Sequence, residues 1–113
     1  MEIKEKIETA VEKFIADGGR VCRRSYGVNP SSWDVQENPV WKMEEGGCCA
    51  LGALLAGTPW KGGGMKSEAA QMLGVQESWV VSFVLGFDGY PRGEMDDPIA
   101  HSLGLEMTKY LAT

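Results

Sequence analysis

The sequence predicts a mainly α-helical protein: a single compact bundle of four to five helices around a central helix of small residues, with at most one short β-hairpin near residues 33–43. Two observations predict the helices. Apolar residues recur at helical spacing near both ends of the chain, and glycine or proline stands where those patterns begin or end. A third observation, the small residues of 48–57, predicts the central helix. With 113 residues, the chain is expected to form one domain over 1–113.

The first and last helices follow from amphipathic patterns. Residues 2–17 place apolar side chains on one stripe, and Gly18 and Gly19 end this helix. The last helix starts with Asp97 as N-cap and Pro98 in its first turn. The predicted core stripes are Ile3, Ile7, Ala10, Val11 and Phe14 in the first helix, and Ile99, Leu103, Met107, Tyr110 and Leu111 in the last.

Residues 48–57 sort by side-chain size when they are projected at about 100° per residue. We therefore expect this helix to be buried on both sides, with a neighbouring backbone against its small half. The adjacent cysteines are then core residues, and a reactive thiol at the helix start is the alternative. The small half carries Cys48, Cys49, Gly52, Ala53, Ala56 and Gly57, and the other half carries Leu51, Leu54 and Leu55.

Composition restricts the partners. The net charge of −5 disfavours binding to a phosphate backbone, and no apolar run approaches the roughly 20 residues of a membrane helix. Three cysteines are an odd number and too few for a disulfide scaffold, and the N-terminus mixes acids with bases rather than resembling a secretory signal. We expect a cytoplasmic protein.

Two loops are candidate ligand sites. The glycine-rich loop before Ser67 lacks the glycine that a phosphate-binding loop has directly before its lysine, since Met65 stands there. We expect a plain connection with Ser67 as the N-cap of a short helix, although an anion at that helix N-terminus stays open. The acidic loop lacks the spacing of a calcium loop, so helix capping is expected and a bound cation stays open. Its acids are Asp88, Glu94, Asp96 and Asp97.

Residues 67–83 match the pattern of a helix-turn-helix, with Gly74 at the turn. The chemistry does not fit DNA, because no Lys or Arg occurs from Ser67 to Pro91. A helix pair used for packing or protein contact is predicted, and a degenerate helix-turn-helix regulator is the alternative. The pattern uses Ala70, Val75, Val80 and Phe83, and the recognition positions would be Gln76, Glu77, Ser78, Val81, Ser82 and Leu85.

Three smaller groups complete the candidates. His101 projects away from the predicted core stripe and is expected at the surface, where it would form a contact patch with Leu105. The basic cluster Arg20, Arg23 and Arg24 would bind an acidic partner or phosphate, or pair with nearby carboxylates. An aromatic pocket would make the chain a small-molecule-binding protein or small enzyme, and core or interface packing is the alternative. Its residues are Trp33, Trp41, Trp60 and Tyr90.

The strings "GCCALGALLAG" and "AAQMLGVQESWVVSFVLGFDG" resemble a pattern of small uncharacterised bacterial and phage proteins, namely Cys-Ala-Leu-Gly-Ala, then Leu-Gly-Val, then Phe-Asp-Gly. The resemblance covers about residues 46–90. It implies no established activity and no catalytic residues.

We therefore predict a protein-interaction, accessory or inhibitor module of phage or mobile-element origin that is not an enzyme. No catalytic, cofactor-binding or metal residues are predicted, and a protein is the expected partner, with self-association open. The candidate interaction residues are Arg20, Arg23, Arg24, Trp33, Trp41, Trp60, Val81, Leu85, Tyr90, His101 and Leu105.

Overall fold

The computed structural model describes residues 2–23, 39–42 and 48–111. Within these ranges the chain is helical and globular, with a radius of gyration of 13.5 Å, close to the value of about 13 Å expected for a domain of this size. The predicted fold class is confirmed. The helices are α1 (Ile3–Ala16), α2 (Ala50–Leu55), α3 (Met65–Leu73), α4 (Glu77–Phe87) and α5 (Pro98–Met107), followed by a 3-10 helix (Thr108–Tyr110).

The first helix follows its predicted stripe. Ile7 and Val11 are fully buried, and the other apolar residues of the stripe pack against the core. The helix ends at the C-cap Asp17, after which Gly18 takes a positive φ of 95° that other residues rarely adopt. None of the helices in the described ranges is long and apolar enough to cross a membrane.

The central helix α2 is buried at every position, as the size pattern predicts. It is shorter than predicted at both ends. Cys48 lies in a parallel bridge instead, because its N–H donates to the Arg20 carbonyl and its carbonyl accepts from the Cys22 N–H, both at 2.9 Å. Cys49 is the N-cap, and Gly57 has left the helix with a φ of 77°.

The predicted hairpin near 33–43 falls mostly outside the described residues. Its described part, residues 39–42, runs beside 57–60, the segment that follows α2. The Trp41 N–H donates to the Thr58 carbonyl at 2.9 Å, and the Trp60 N–H donates to the Pro39 carbonyl at 2.9 Å. This pairing fixes residues 39–42 against the end of the central helix.

Helices α3 and α4 form the predicted pair around a glycine turn. Gly74 adopts the left-handed conformation with φ 71°, and the Val75 N–H donates to the Ala70 carbonyl at 3.0 Å. The start of α3 differs from the prediction. Gly64 is the N-cap, so Ser67 lies inside the first turn and does not cap the helix.

Helices α4 and α5 meet at two glycines. A Cβ atom at Gly86 would overlap the His101 carbonyl oxygen, and one at Gly104 would overlap the Phe83 carbonyl oxygen and lie 2.8 Å from the Phe87 nitrogen. The two backbones therefore touch. This contact explains why α4 is apolar around most of its circumference, since α5 covers one side while the core covers another.

The buried face of α5 differs from the predicted stripe by a rotation of roughly 60° at helical spacing. Asp97 is the N-cap as predicted, because its carboxylate accepts from the Ile99 N–H at 2.9 Å and the Ala100 N–H at 3.0 Å. Ile99 itself is 75% exposed, so its placement in the core was wrong. The close approach at Gly104 turns the small side of the helix inward. The buried residues are Ala100, His101, Leu103, Gly104 and Met107.

Candidate interaction groove

An apolar groove of about 580 Å³ lies between the first turn of α1 and the outer face of α5, with Trp79 of α4 beside them. We call it the α1–α5 groove. Its volume falls in the range of roughly 300–1,000 Å³ typical of binding sites. It is lined by Glu2, Ile3, Lys4, Trp79, Pro98, Ile99, Ser102, Leu103 and Glu106.

Packing beneath the groove holds its apolar walls. The Trp79 ring stacks on the buried Phe83 ring, with centroids 5.8 Å apart and planes 15° apart. Leu103 is buried, and Ile3 packs against the core from the opposite wall. Ile99 stands at the rim with most of its side chain in water. The groove thus has packed sides and two exposed apolar residues at its edge, Pro98 and Ile99.

One ion pair lies at the groove. Lys4 Nζ is 2.7 Å from Glu106 Oε1, and both side chains are close to half exposed. The hydrogen bond and charge of Glu106 raise the pKa of Lys4, and the same contact lowers the pKa of Glu106. Glu2 adds a further acid to the lining. A second concavity of about 550 Å³ shares Trp79 and includes Asp97. Acids therefore outnumber bases around these two concavities.

The segment after α5 anchors that helix to α1. Lys109 Nζ is 2.7 Å from Glu8 Oε2, and the Tyr110 hydroxyl donates to Glu12 Oε2 at 2.5 Å. Burial, and then the hydrogen bond to Glu12, raise the pKa of Tyr110. These contacts join the two helices that form the walls of the groove.

His101 is buried, with 8% of its surface exposed, and the prediction of a surface histidine was wrong. It faces α4 because the close contact at Gly86 and Gly104 rotates α5. Its Nε2 lies 2.8 Å from the Tyr90 carbonyl oxygen. Leu105 is exposed as predicted, but His101 does not form a surface patch with it.

The structure describes two of the three arginines of the basic cluster, and their environments differ. The Arg23 Nε donates to the Phe87 carbonyl at 3.0 Å, at the C-terminus of α4 where a positive charge is favourable. Arg20 is exposed, and Arg24 lies outside the described residues. The structure thus shows Arg23 bound to a helix end.

The three described aromatic residues of the predicted pocket have different environments. Trp41 is 2% exposed and donates its indole N–H to Glu68 at 2.8 Å, so it is a core residue rather than a contact residue. The half-buried Trp60 donates its indole N–H to the Gly63 carbonyl at 2.8 Å. Tyr90 is exposed and linked through its carbonyl to His101. Trp33 lies outside the described residues.

Glu68 was missed as a structural residue by the sequence analysis. Its buried carboxylate accepts from the Trp41 indole and from two amides of the glycine loop, Gly63 N–H at 2.7 Å and Lys61 N–H at 3.0 Å. The carboxylate therefore occupies loop amides that a phosphate would need. The sequence signal for this role is a single acid, Glu68, one turn after the glycine-rich loop. The sequence does not indicate its bond to Trp41, which is 27 residues away.

The outward side of α4 keeps only part of the predicted recognition surface. Val81 and Leu85 are half-buried, and Glu77 and Ser78 are exposed. Ser82 is buried. Its hydroxyl donates to the Ser78 carbonyl at 3.1 Å and accepts from the Asp97 N–H at 2.9 Å. Ser82 is therefore unavailable to a ligand.

Both central cysteines are buried as predicted. Burial raises the pKa of the Cys48 thiol to about 12 and that of the Cys49 thiol to about 11. Such thiols stay protonated at neutral pH and are poor nucleophiles. In residues 2–23, 39–42 and 48–111, no three His, Cys, Asp or Glu side chains are placed to hold a metal ion.

The residues missed at the groove are Trp79, Ile3 and Pro98, together with Ile99, which was assigned to the core. A signal was present in the last helix, where Ala100 and Gly104 mark a small side suited to close packing.

No protein-family model, curated protein or solved structure matches the chain.

Proposed function

We propose that the chain is a cytoplasmic protein-interaction module, an accessory or inhibitor protein of phage or mobile-element origin, that binds a basic partner protein through the α1–α5 groove. The single observation that carries this proposal is the exposure of Ile99 at the rim of an apolar groove with fixed walls. Apolar surface arranged around a concavity is typical of binding sites.

The energetics favour an apolar partner surface at this position. Burying an isoleucine side chain fully is worth roughly 1.5–3 kcal/mol, and most of that stabilisation is unrealised while Ile99 faces water. Asp97 and Pro98 fix the start of α5, so the position of Ile99 is set before a partner arrives. A preformed rim reduces the ordering cost of association.

Charge favours a basic partner. The chain carries a net charge of −5, and Glu2 and Glu106 line the groove beside one lysine that is already paired. Complementary charge raises association rates and selects among partners. An acidic module of this kind suits an inhibitor that covers a basic surface of another protein.

The test is site-specific photo-crosslinking in cells of the organism that encodes the chain. A photoreactive residue replaces Ile99 in one variant and the exposed Gln71 of α3 in a matched control. We expect one identified protein to cross-link at position 99 and not at position 71. Equal adducts from both positions, or none from position 99, would count against the proposal.

A DNA-binding regulator is the second candidate, and the α3–Gly74–α4 arrangement is the observation that favours it. The absence of Lys and Arg from Ser67 to Pro91 opposes it, because a DNA reader needs phosphate contacts. Gel-shift titration against pooled DNA at low salt separates the two functions. Retained DNA at micromolar protein would favour the regulator.

A further inference from the structure

We infer that the α1–α5 groove receives one apolar face of a short amphipathic α-helix whose flanking positions are basic. This inference rests on the proposed function and specifies the partner segment. Its basis is the joint presence of helical walls, a short apolar concavity with an exposed rim residue, and an excess of acids at its edges.

The walls favour a helix over an extended segment. An extended peptide needs a strand edge to satisfy its backbone N–H and C=O groups, and this groove is bounded by α1, α4 and α5. The described residues 2–23, 39–42 and 48–111 pair in isolated bridges only, none of them at the groove. A helix satisfies its own backbone and presents only side chains.

The size of the groove sets the length of the segment. Its lining on α5 runs from Pro98 to Glu106, which at helical rise spans about 12 Å, or roughly two turns. Over two turns, one face of a docking helix carries apolar residues at positions i, i+3 or i+4, and i+7. An apolar residue at one end of this face would lie beside Ile99, where burial of apolar surface gains most.

The charges set the polar positions of the segment. Glu2 stands in the lining, Asp97 borders the adjoining concavity at Trp79, and Glu106 retains an exposed carboxylate beside Lys4. Lysine or arginine residues next to the apolar face would lie close to these acids. Because the acids are near water, their contribution is expected to weaken with salt.

The experiment measures binding of fluorescent designed peptides of 14 residues to the whole chain by anisotropy. Three peptides share one length: an amphipathic helix with flanking Lys and Arg, the same helix with Glu in place of those residues, and a version of the first with its apolar residues scrambled. We expect the basic amphipathic peptide to bind at least about tenfold more tightly than either comparison, and this preference over the acidic peptide to shrink at high salt.

Two protein variants locate the site. Ile99→Ser should weaken binding of the basic peptide about tenfold, consistent with loss of an apolar anchor. Met72→Ser, at an exposed apolar position of α3, should leave it unchanged. Both residues are exposed, so both variants are expected to fold.

The outcomes separate this inference from the function on which it rests. Equal binding of all three peptides, or of both variants, would overturn the helix assignment. A cross-linked protein at position 99 together with no peptide binding would keep the interaction module and reject the helical segment. A dimer in sedimentation that Ile99→Ser dissociates would show that a second copy covers the groove and would also overturn it.

Discussion

The α4–α5 pair and the α2 region, by which we mean residues 48–60 with the contacts of Trp41 and Glu68, both contain small residues in different arrangements. In the α4–α5 pair two isolated glycines bring backbone against backbone, with the Gly104 Cα facing the Phe83 carbonyl. In the α2 region every residue of the helix is buried, and hydrogen bonds that Cys48 and Trp41 donate and Glu68 accepts tie the flanking segments together.

The comparison teaches that a close helix contact does not require a run of small residues, since two separate glycines produce it between α4 and α5. The run 48–57 contains a short helix, Ala50–Leu55, that is buried at every position. A close contact needs only one residue without a Cβ where the helices cross. The two regions should therefore respond to different kinds of substitution.

The largest effect is expected for Gly104→Ala. The new methyl group would meet the backbone of Phe83 and Phe87, which cannot move without separating α4 from α5. Overpacking costs typically 1–3 kcal/mol, and we expect about 3 kcal/mol here despite the better helix propensity of alanine. Urea denaturation measures the loss in the free energy of unfolding.

The matched control for that substitution is Gly64→Ala. A Cβ at the N-cap Gly64 meets nothing within 4 Å, and its φ of −80° suits any residue. We expect a loss of at most about 1 kcal/mol, because alanine is a poorer N-cap than glycine. If Gly104→Ala were equally mild, the backbone contact between α4 and α5 would not be the feature that holds this pair together.

A smaller effect is expected for Glu68→Leu in the α2 region. The substitution introduces an apolar side chain of similar size and removes the acceptor of the Trp41 indole N–H and of the Gly63 amide. Leaving a buried donor unpaired costs roughly 1–3 kcal/mol, so we expect a loss of about 2 kcal/mol. Glu68→Gln retains one oxygen and should lose less; an equal loss in both variants would contradict a role as hydrogen-bond acceptor.

The substitutions at Gly104 and Glu68 test two features that local sequence rules do not predict. The helix pattern, the Asp97 cap, the Gly74 turn and the burial of the cysteines follow from local rules, and the structure confirms them. The rotation of α5 depends on which neighbour Gly104 faces, and the Glu68 contact joins residues far apart in the chain. Both are set by tertiary packing, which is why Ile99 and His101 exchanged their predicted places.

The same reason applies to the candidate groove. Its lining comes from α1, α4 and α5, and one residue of it, Ile99, becomes available only because the small side of α5 turns inward. Neighbouring positions on a helix differ by about 100°, and the buried face of α5 is rotated by roughly 60° from the predicted stripe. This rotation of α5 decides whether Ile99 lies in the core or at the rim of the α1–α5 groove.

Thiol labelling examines the α2 region without altering its packing. Cys48 and Cys49 are buried and their pKa values are raised, so a Cys22→Ser variant should react with a thiol reagent at pH 8 at least about a hundredfold more slowly when folded than in urea. Rapid labelling of the folded chain would show that the start of α2 opens readily, and the contrast with the rigid α4–α5 pair would sharpen.

The smallest effect is expected outside both regions, at the exposed Lys4–Glu106 pair. The pKa of Glu106 is lowered, so its stabilisation is present above the unfolded carboxyl pKa of about 4.3 and is lost as the pH falls through the lower folded value. The pKa of Lys4 is raised, so its stabilisation is present below about pH 10.4 and is lost as the pH rises through the higher folded value. Lys4→Met should therefore differ from the parent chain most between about pH 5 and pH 10 in the midpoint of urea denaturation, and the difference should shrink in high salt. A difference that stayed constant from pH 3 to pH 11 would mean that Lys4 acts through packing of its aliphatic stem, in which case this wall of the groove would resemble the packed α4–α5 pair.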